Sequence, residues 1–147
     1  MCCITDKMFS KEAENDIYVY KVFDTFPQDN GPTSLMSPMY GTMVYHCGDE
    51  NIPCGVFERE LSGEHNKTII KGTYKVEYGF HSFENKEDAV KFCDLLNFVK
   101  TVRNDCVYKC RIKKGTHIYY GLGDLGQVGS YKCYVSEYLD IVENINH

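Results

Sequence analysis

Asn85-Lys86-Glu87-Asp88-Ala89-Val90-Lys91-Phe92-Cys93-Asp94-Leu95-Leu96 is the stretch on which the fold turns, because here the apolar residues recur at helical spacing. Ala89, Phe92, Cys93 and Leu96 fall on one face, with Val90 on its margin. Asn85 can cap the first turn, where Glu87 and Asp88 put negative charge at the positive end of the helix dipole. The pattern predicts one principal amphipathic helix over about 86–98, closing between Asn97 and Lys100.

Outward from that helix the chain reads as strands. Ile17-Tyr18-Val19-Tyr20-Lys21-Val22-Phe23 is dense in β-branched and aromatic residues and runs into a turn-rich stretch from Pro27 to Pro32. Ahead of it, Ser10-Lys11-Glu12-Ala13 predicts a short N-terminal helical turn capped by Ser10. Ser34 to Pro38 is expected to be irregular, since Pro38 removes a backbone donor and biases Ser37 toward extended geometry. Strands are expected at about Thr42 to His46 and at Gly55 to Glu58, either side of a polar turn. Tyr74-Lys75-Val76-Glu77-Tyr78 alternates apolar and charged residues as a strand with one wet face does.

Gly79-Phe80-His81-Ser82-Phe83 leads directly into the helix, which puts His81 between a strand and a helix start. The last third predicts strands at Cys106 to Lys113, Thr116 to Tyr120, Tyr131 to Val135 and Tyr138 to Val142. Gly121, Gly123, Gly126 and Gly129 read as a flexible connection among them. The expected fold class is therefore α+β: a mostly antiparallel, curved sheet or sheets with one principal helix, in a single domain spanning 1–147.

Composition bounds the function. The chain has 147 residues, 43% hydrophobic and 25% charged, which suits one globular core and excludes disordered and fibrous classes. Its longest apolar runs fall far short of the roughly 20 residues of a membrane helix, and the start lacks the pattern of a secretory signal. A net charge of −5, with no basic cluster beyond Arg111-Ile112-Lys113-Lys114, fits duplex nucleic acid poorly. A cytoplasmic location is expected, and in that compartment the eight cysteines are expected to be free thiols.

Four patterns could carry chemistry. His46, Cys47 and Cys54, or Cys106 and Cys110, lack the two close pairs of a structural zinc site, so no metal is expected. Cys106 and Cys110 would instead share one strand face and point into the core. Cys2, once Met1 is trimmed, could act as a nucleophile with its own amine as base, as in glutamine amidotransferases, but the match stops at two residues and a buried N-terminus is favoured. Gly121-Leu122-Gly123-Asp124-Leu125-Gly126 satisfies the glycine pattern of a dinucleotide loop, yet strands flank it on both sides, so a glycine-rich turn is expected. His81, with Tyr40, Tyr119 and Tyr120 as neighbours, is the candidate ligand-binding cluster, placed to orient a ribose or phosphate near a helix start.

Met1-Cys2, Asp16-Ile17 with Val19-Tyr20-Lys21-Val22, Ser37-Pro38 with Tyr40-Gly41, Gly79 to Phe83, and Lys109 to Gly115 with Tyr119-Tyr120 together resemble a family of proteins from gut bacteria and their phages. The resemblance spans nearly the whole chain and implies a phage or mobile-element origin, hence a host cytosol, without implying a reaction. A more distant likeness joins Ile112-Lys113-Lys114-Gly115-Thr116, Tyr119-Tyr120 and Ser136-Glu137-Tyr138-Leu139 to ADP-ribosyltransferases of the bacterial toxin type. It covers about a third of the chain and implies NAD as cofactor, with Glu137 and His81 as catalytic residues and Tyr40 and Lys21 beside the dinucleotide. The sequence departs from that family at the decisive position, where Leu139 stands in place of the second acid of its Glu-x-Glu pair. Without that carboxylate the ribose hydroxyl lacks a partner that strengthens in the transition state.

The function expected from the sequence is therefore a non-enzymatic binding or accessory protein that engages a host protein or a small nucleotide-like ligand. Its 12 tyrosines and eight phenylalanines supply aromatic surface for an interface. An NAD-using transferase acting through Glu137 is the alternative.

Overall fold

A computed structural model describes residues 3–5, 10–26, 34–36, 44–46, 55–58, 67–70, 73–76, 79–99, 105–124 and 129–145. Its strands are β1 (Cys3–Thr5), β2 (Lys11–Glu12), β3 (Ile17–Phe26), β4 (Ser34–Met36), β5 (Val44–His46), β6 (Gly55–Glu58), β7 (Lys67–Ile70), β8 (Thr73–Val76), β9 (Phe80–Phe83), β10 (Asp105–Ile112), β11 (His117–Asp124), β12 (Ser130–Ser136) and β13 (Tyr138–Asn144). The one helix among the described residues, α1, spans Lys86–Val99. The described residues are thus mostly β, with antiparallel pairing throughout these strands, beside that one helix.

The strands join in the order β6-β13-β10-β3-β9-β12-β11-β1-β8-β7. Two connections dictate how this sheet bends. The turn at Lys113 to Thr116 carries the chain from β10 to β11, and the single residue Glu137 carries it from β12 to β13, although neither pair of strands is adjacent. Links so short can be made only if the sheet curls until the two halves approach. The junction between the halves is narrow: β3 meets β9 at the register pair Tyr20 with Phe83. Beside it, Lys21 Nζ donates to the His81 carbonyl oxygen at 2.7 Å, satisfying with a side chain an acceptor next to the sparse ladder.

Side chains alternate across the strands and build two cores. On one face, Val22, Phe83, Val107, Tyr119, Tyr131, Cys133 and Val135 pack against Ala89, Phe92, Cys93 and Leu96 of α1. On the other, Val19, Phe23, Phe80, Cys106, Tyr108, Cys110, Ile112, Ile118, Leu139 and Ile141 enclose Ala13 inside the curl. A register shift between Lys109 and Cys110 against β13 keeps Ile141 opposite Cys110 on this inner face and Asp140 opposite Arg111. The predicted helix face and the inward pair Cys106 and Cys110 are as the spacing required. Asn85 sits at the helix start, its carbonyl accepting from Ala89 N at 3.3 Å.

Four expectations are corrected. Residues 11–12 form β2 rather than a helical turn, because pairing with His117 and Ile118 of β11 and the bonds between Ala13 and the 115–116 backbone outweigh a local cap signal. Ser34–Met36 is the strand β4 between β3 and β5, since the constraint of Pro38 reaches only its neighbour. Gly121 and Gly123 lie inside β11 rather than in a flexible turn. Cys3 and Cys133 are joined as a disulfide across 130 residues, with Cα atoms 6.3 Å apart, whereas Cys93, Cys106 and Cys110 are buried thiols that take no part in it.

The glycines explain how that bridge fits. A Cβ at Gly121 would collide with the Ile4 carbonyl oxygen and meet Cys3 Sγ at 3.2 Å, while one at Gly123 would enter the Tyr131 ring. Tyr131 is the cross-strand partner of Gly123, and Cys133 that of Gly121. The bare side of β11 is filled by a disulfide and an aromatic ring supplied by its neighbours.

Candidate functional site

Period-two alternation decides which predicted residues can act together. Along one row of the sheet, His81 of β9 faces Val135 of β12, which faces Tyr119 of β11. Directly paired residues point to the same face, so His81 and Tyr119 lie on the side covered by α1, at only 6% and 4% exposure. His81 stands within β9 rather than between a strand and the helix. Tyr120, next to Tyr119 in sequence, must point the opposite way. It belongs to a second row in which it faces Tyr134, which faces Ser82. The structure therefore brings His81 and Tyr119 to one face and sends Tyr120 to the other; Tyr40 lies outside the described residues.

The residues of the transferase alternative are also dispersed. Glu137 Oε1 accepts from the His117 backbone N–H at 3.1 Å, securing the corner between β12 and β13. Leu139 is fully buried in the inner core. Lys21 is on the inner face, opposite Tyr108, and donates to the main-chain oxygen of His81. Among the described residues no three His, Cys, Asp or Glu side chains come together as metal ligands, while Cys47 and Cys54 lie outside them.

What sequence reasoning missed is the open half of the face that carries Tyr120. Ile4 of β1 pairs with Leu122 of β11, two residues along from Tyr120 on the same side. These three are 37%, 55% and 38% exposed, although their strands are paired on both sides rather than at an edge of the sheet. The Tyr120 and Tyr134 rings lie 4.9 Å apart at 48°, and Tyr120 Oη donates to Glu84 Oε2 at 3.0 Å. Register places Lys75 beyond Ile4, Lys132 beyond Leu122, and Asp124 opposite Ser130 at the end of β11. The result is an apolar and aromatic strip with two lysines and two carboxylates at its border. Its signal in the sequence is the alternation of Tyr120, Leu122 and Asp124 with Gly121 and Gly123, a period-two pattern.

Burial first, and then the neighbouring Glu84 carboxylate, push the Tyr120 phenol from its usual 10 up to about 12. The same two causes raise Tyr134. A phenol raised in the folded chain stays neutral after its unfolded counterpart would ionise. Its contribution to stability is thus complete below the unfolded value of about 10 and is lost as pH rises toward about 12. Tyrosinate absorbance during alkaline titration should show a late component that Tyr120→Phe reduces, Tyr134 keeping its share; an unchanged titration curve in that variant would contradict this environment.

Comparison with protein-family models, with curated proteins and with solved structures finds no match for the chain. Among the described residues no helix is long and apolar enough to cross a membrane.

Proposed function

We propose that the chain is a non-enzymatic binding protein whose docking surface is the open sheet face formed by Ile4, Leu122, Tyr120 and Tyr134. The observation that carries this reading is that large apolar side chains lie together in two adjacent rows of one face, while the far half of that same face is a sealed core. Grouped apolar side chains with a polar border mark interaction sites, whereas apolar residues exposed singly do not.

The chemistry of the border favours a protein partner over a nucleotide-like ligand. Lys75 and Lys132 are balanced by Glu84 and Asp124, so the surface offers no net attraction to phosphate, and the chain as a whole carries −5. A desolvated apolar centre with a mixed polar rim is the composition of a protein interface, in which aromatic residues contribute most. A phage-encoded chain binding a host protein is consistent with this surface.

Leu122→Asp puts a charge at the centre of the strip on a side chain already 55% exposed, so the fold should tolerate it. Affinity for the protein retained from lysate by the immobilised wild-type chain should fall at least about tenfold, the loss of one interface anchor. Phe98→Asp, at an exposed position on α1, should leave it unchanged. Equal retention by wild type and Leu122→Asp would place the interface elsewhere.

A further inference from the structure

We propose that Cys3–Cys133 is a thiol–disulfide latch that holds the docking face in its binding shape. This rests on the docking reading above and adds its regulation. β1 is a three-residue strand, and it supplies Ile4 to the strip. Among the described residues its register pairing with β11 is Ile4 with Leu122, and the bond from Cys3 to Cys133 of β12 adds a covalent tie beyond that short ladder. Among the described strands the β7 and β8 hairpin continues the sheet from β1, with Cys3, Ile4 and Thr5 facing Val76, Lys75 and Tyr74. The bond therefore adds a covalent anchor for Ile4 and, through β1, for Lys75 and the edge of the outer hairpin. The site is shaped for it, because Gly121 leaves the space that the Cys3 sulfur and the Ile4 backbone fill.

The chemistry balances as ordinary exchange. Two thiols of a small-molecule reductant are oxidised to its disulfide, and their two electrons and two protons convert Cys3–Cys133 to a pair of thiols. Both cysteines are buried, at 0% and 1% exposure, so attack waits on an opening of β1. Cys93, Cys106 and Cys110 are thiols already and do not change. Once the latch is open, nothing covalent holds Ile4 beside Leu122.

The test uses the full chain, oxidised or reduced with dithiothreitol, together with Cys3→Ala/Cys133→Ala. Amide hydrogen exchange is read over β1, β7 and β8, and binding is read on the protein retained by the immobilised oxidised chain. Reduction should speed exchange in those three strands at least tenfold while β3, β10 and β12 stay protected, and should weaken binding at least tenfold. The double variant should behave as the reduced chain with or without dithiothreitol. Unchanged exchange, or faster exchange with unchanged binding, would overturn the latch. If Leu122→Asp binds as wild type, it is the docking reading that fails, and the exchange result stands apart from it.

Discussion

Phe83→Ala should destabilise the chain by about 3–5 kcal/mol, a large share of the roughly 5–15 kcal/mol that holds a typical domain together. Phe83 is fully buried, with its ring centroid 4.8 Å from that of Tyr131 and 5.7 Å from that of Phe92. It stands at the β3 and β9 junction, opposite Tyr20 on one side and Cys133 on the other. Truncation opens a cavity beneath α1 at the point where the two halves of the sheet are joined most sparsely. The surrounding strands are fixed by their own ladders and cannot collapse into the space, which puts the cost at the high end of the range. Denaturant midpoints read the effect, and a loss below about 1 kcal/mol would mean that the helix does not pack there.

Arg111→Ala should also destabilise the chain, by about 1–3 kcal/mol, for an electrostatic reason. The Arg111 guanidinium is paired with the Asp140 carboxylate, whose side chain is 3% exposed. This bond is the first cause holding the Arg111 pKa above its ordinary value. Among the described residues Asp140 Oδ1 has no hydrogen-bond partner, which leaves the bond from Arg111 to satisfy the carboxylate. Removing the arginine leaves a buried charge uncompensated, whereas replacing both members with apolar residues removes the charge together with its partner. Arg111→Met/Asp140→Leu is therefore expected to recover most of the loss. A single variant as stable as wild type would show that Asp140 is solvated.

How much of this was legible in the residues depended on how local each interaction is. The helix was readable because Ala89, Phe92, Cys93 and Leu96 repeat within one segment, and β3 and β10 because dense β-branched and aromatic runs need no partner to be recognised. β2 was not, since its two residues are strand only through pairing with β11. The disulfide was not, because a link across 130 residues leaves no mark in spacing.

That the candidate cluster divides between two faces was legible in the sequence. Tyr119 and Tyr120 are neighbours in a strand and so cannot serve one site on one face. Tyr120 belongs to the proposed docking face together with Ile4 and Leu122, whose exposure follows from a tertiary arrangement that no local pattern encodes. Gly121 and Gly123 suggested a loop because glycine is common in loops; here they make room for Cys3 and Tyr131.

The docking face is tested most directly by photo-crosslinking from a benzoylphenylalanine placed at position 122, with one at position 98 as the control. A discrete adduct formed from position 122 alone, and lost when Ile4 is changed to Asp, is the expected result. An equal adduct from position 98, or one from position 122 that survives Ile4→Asp, would show that this open sheet face is not where the chain meets its partner.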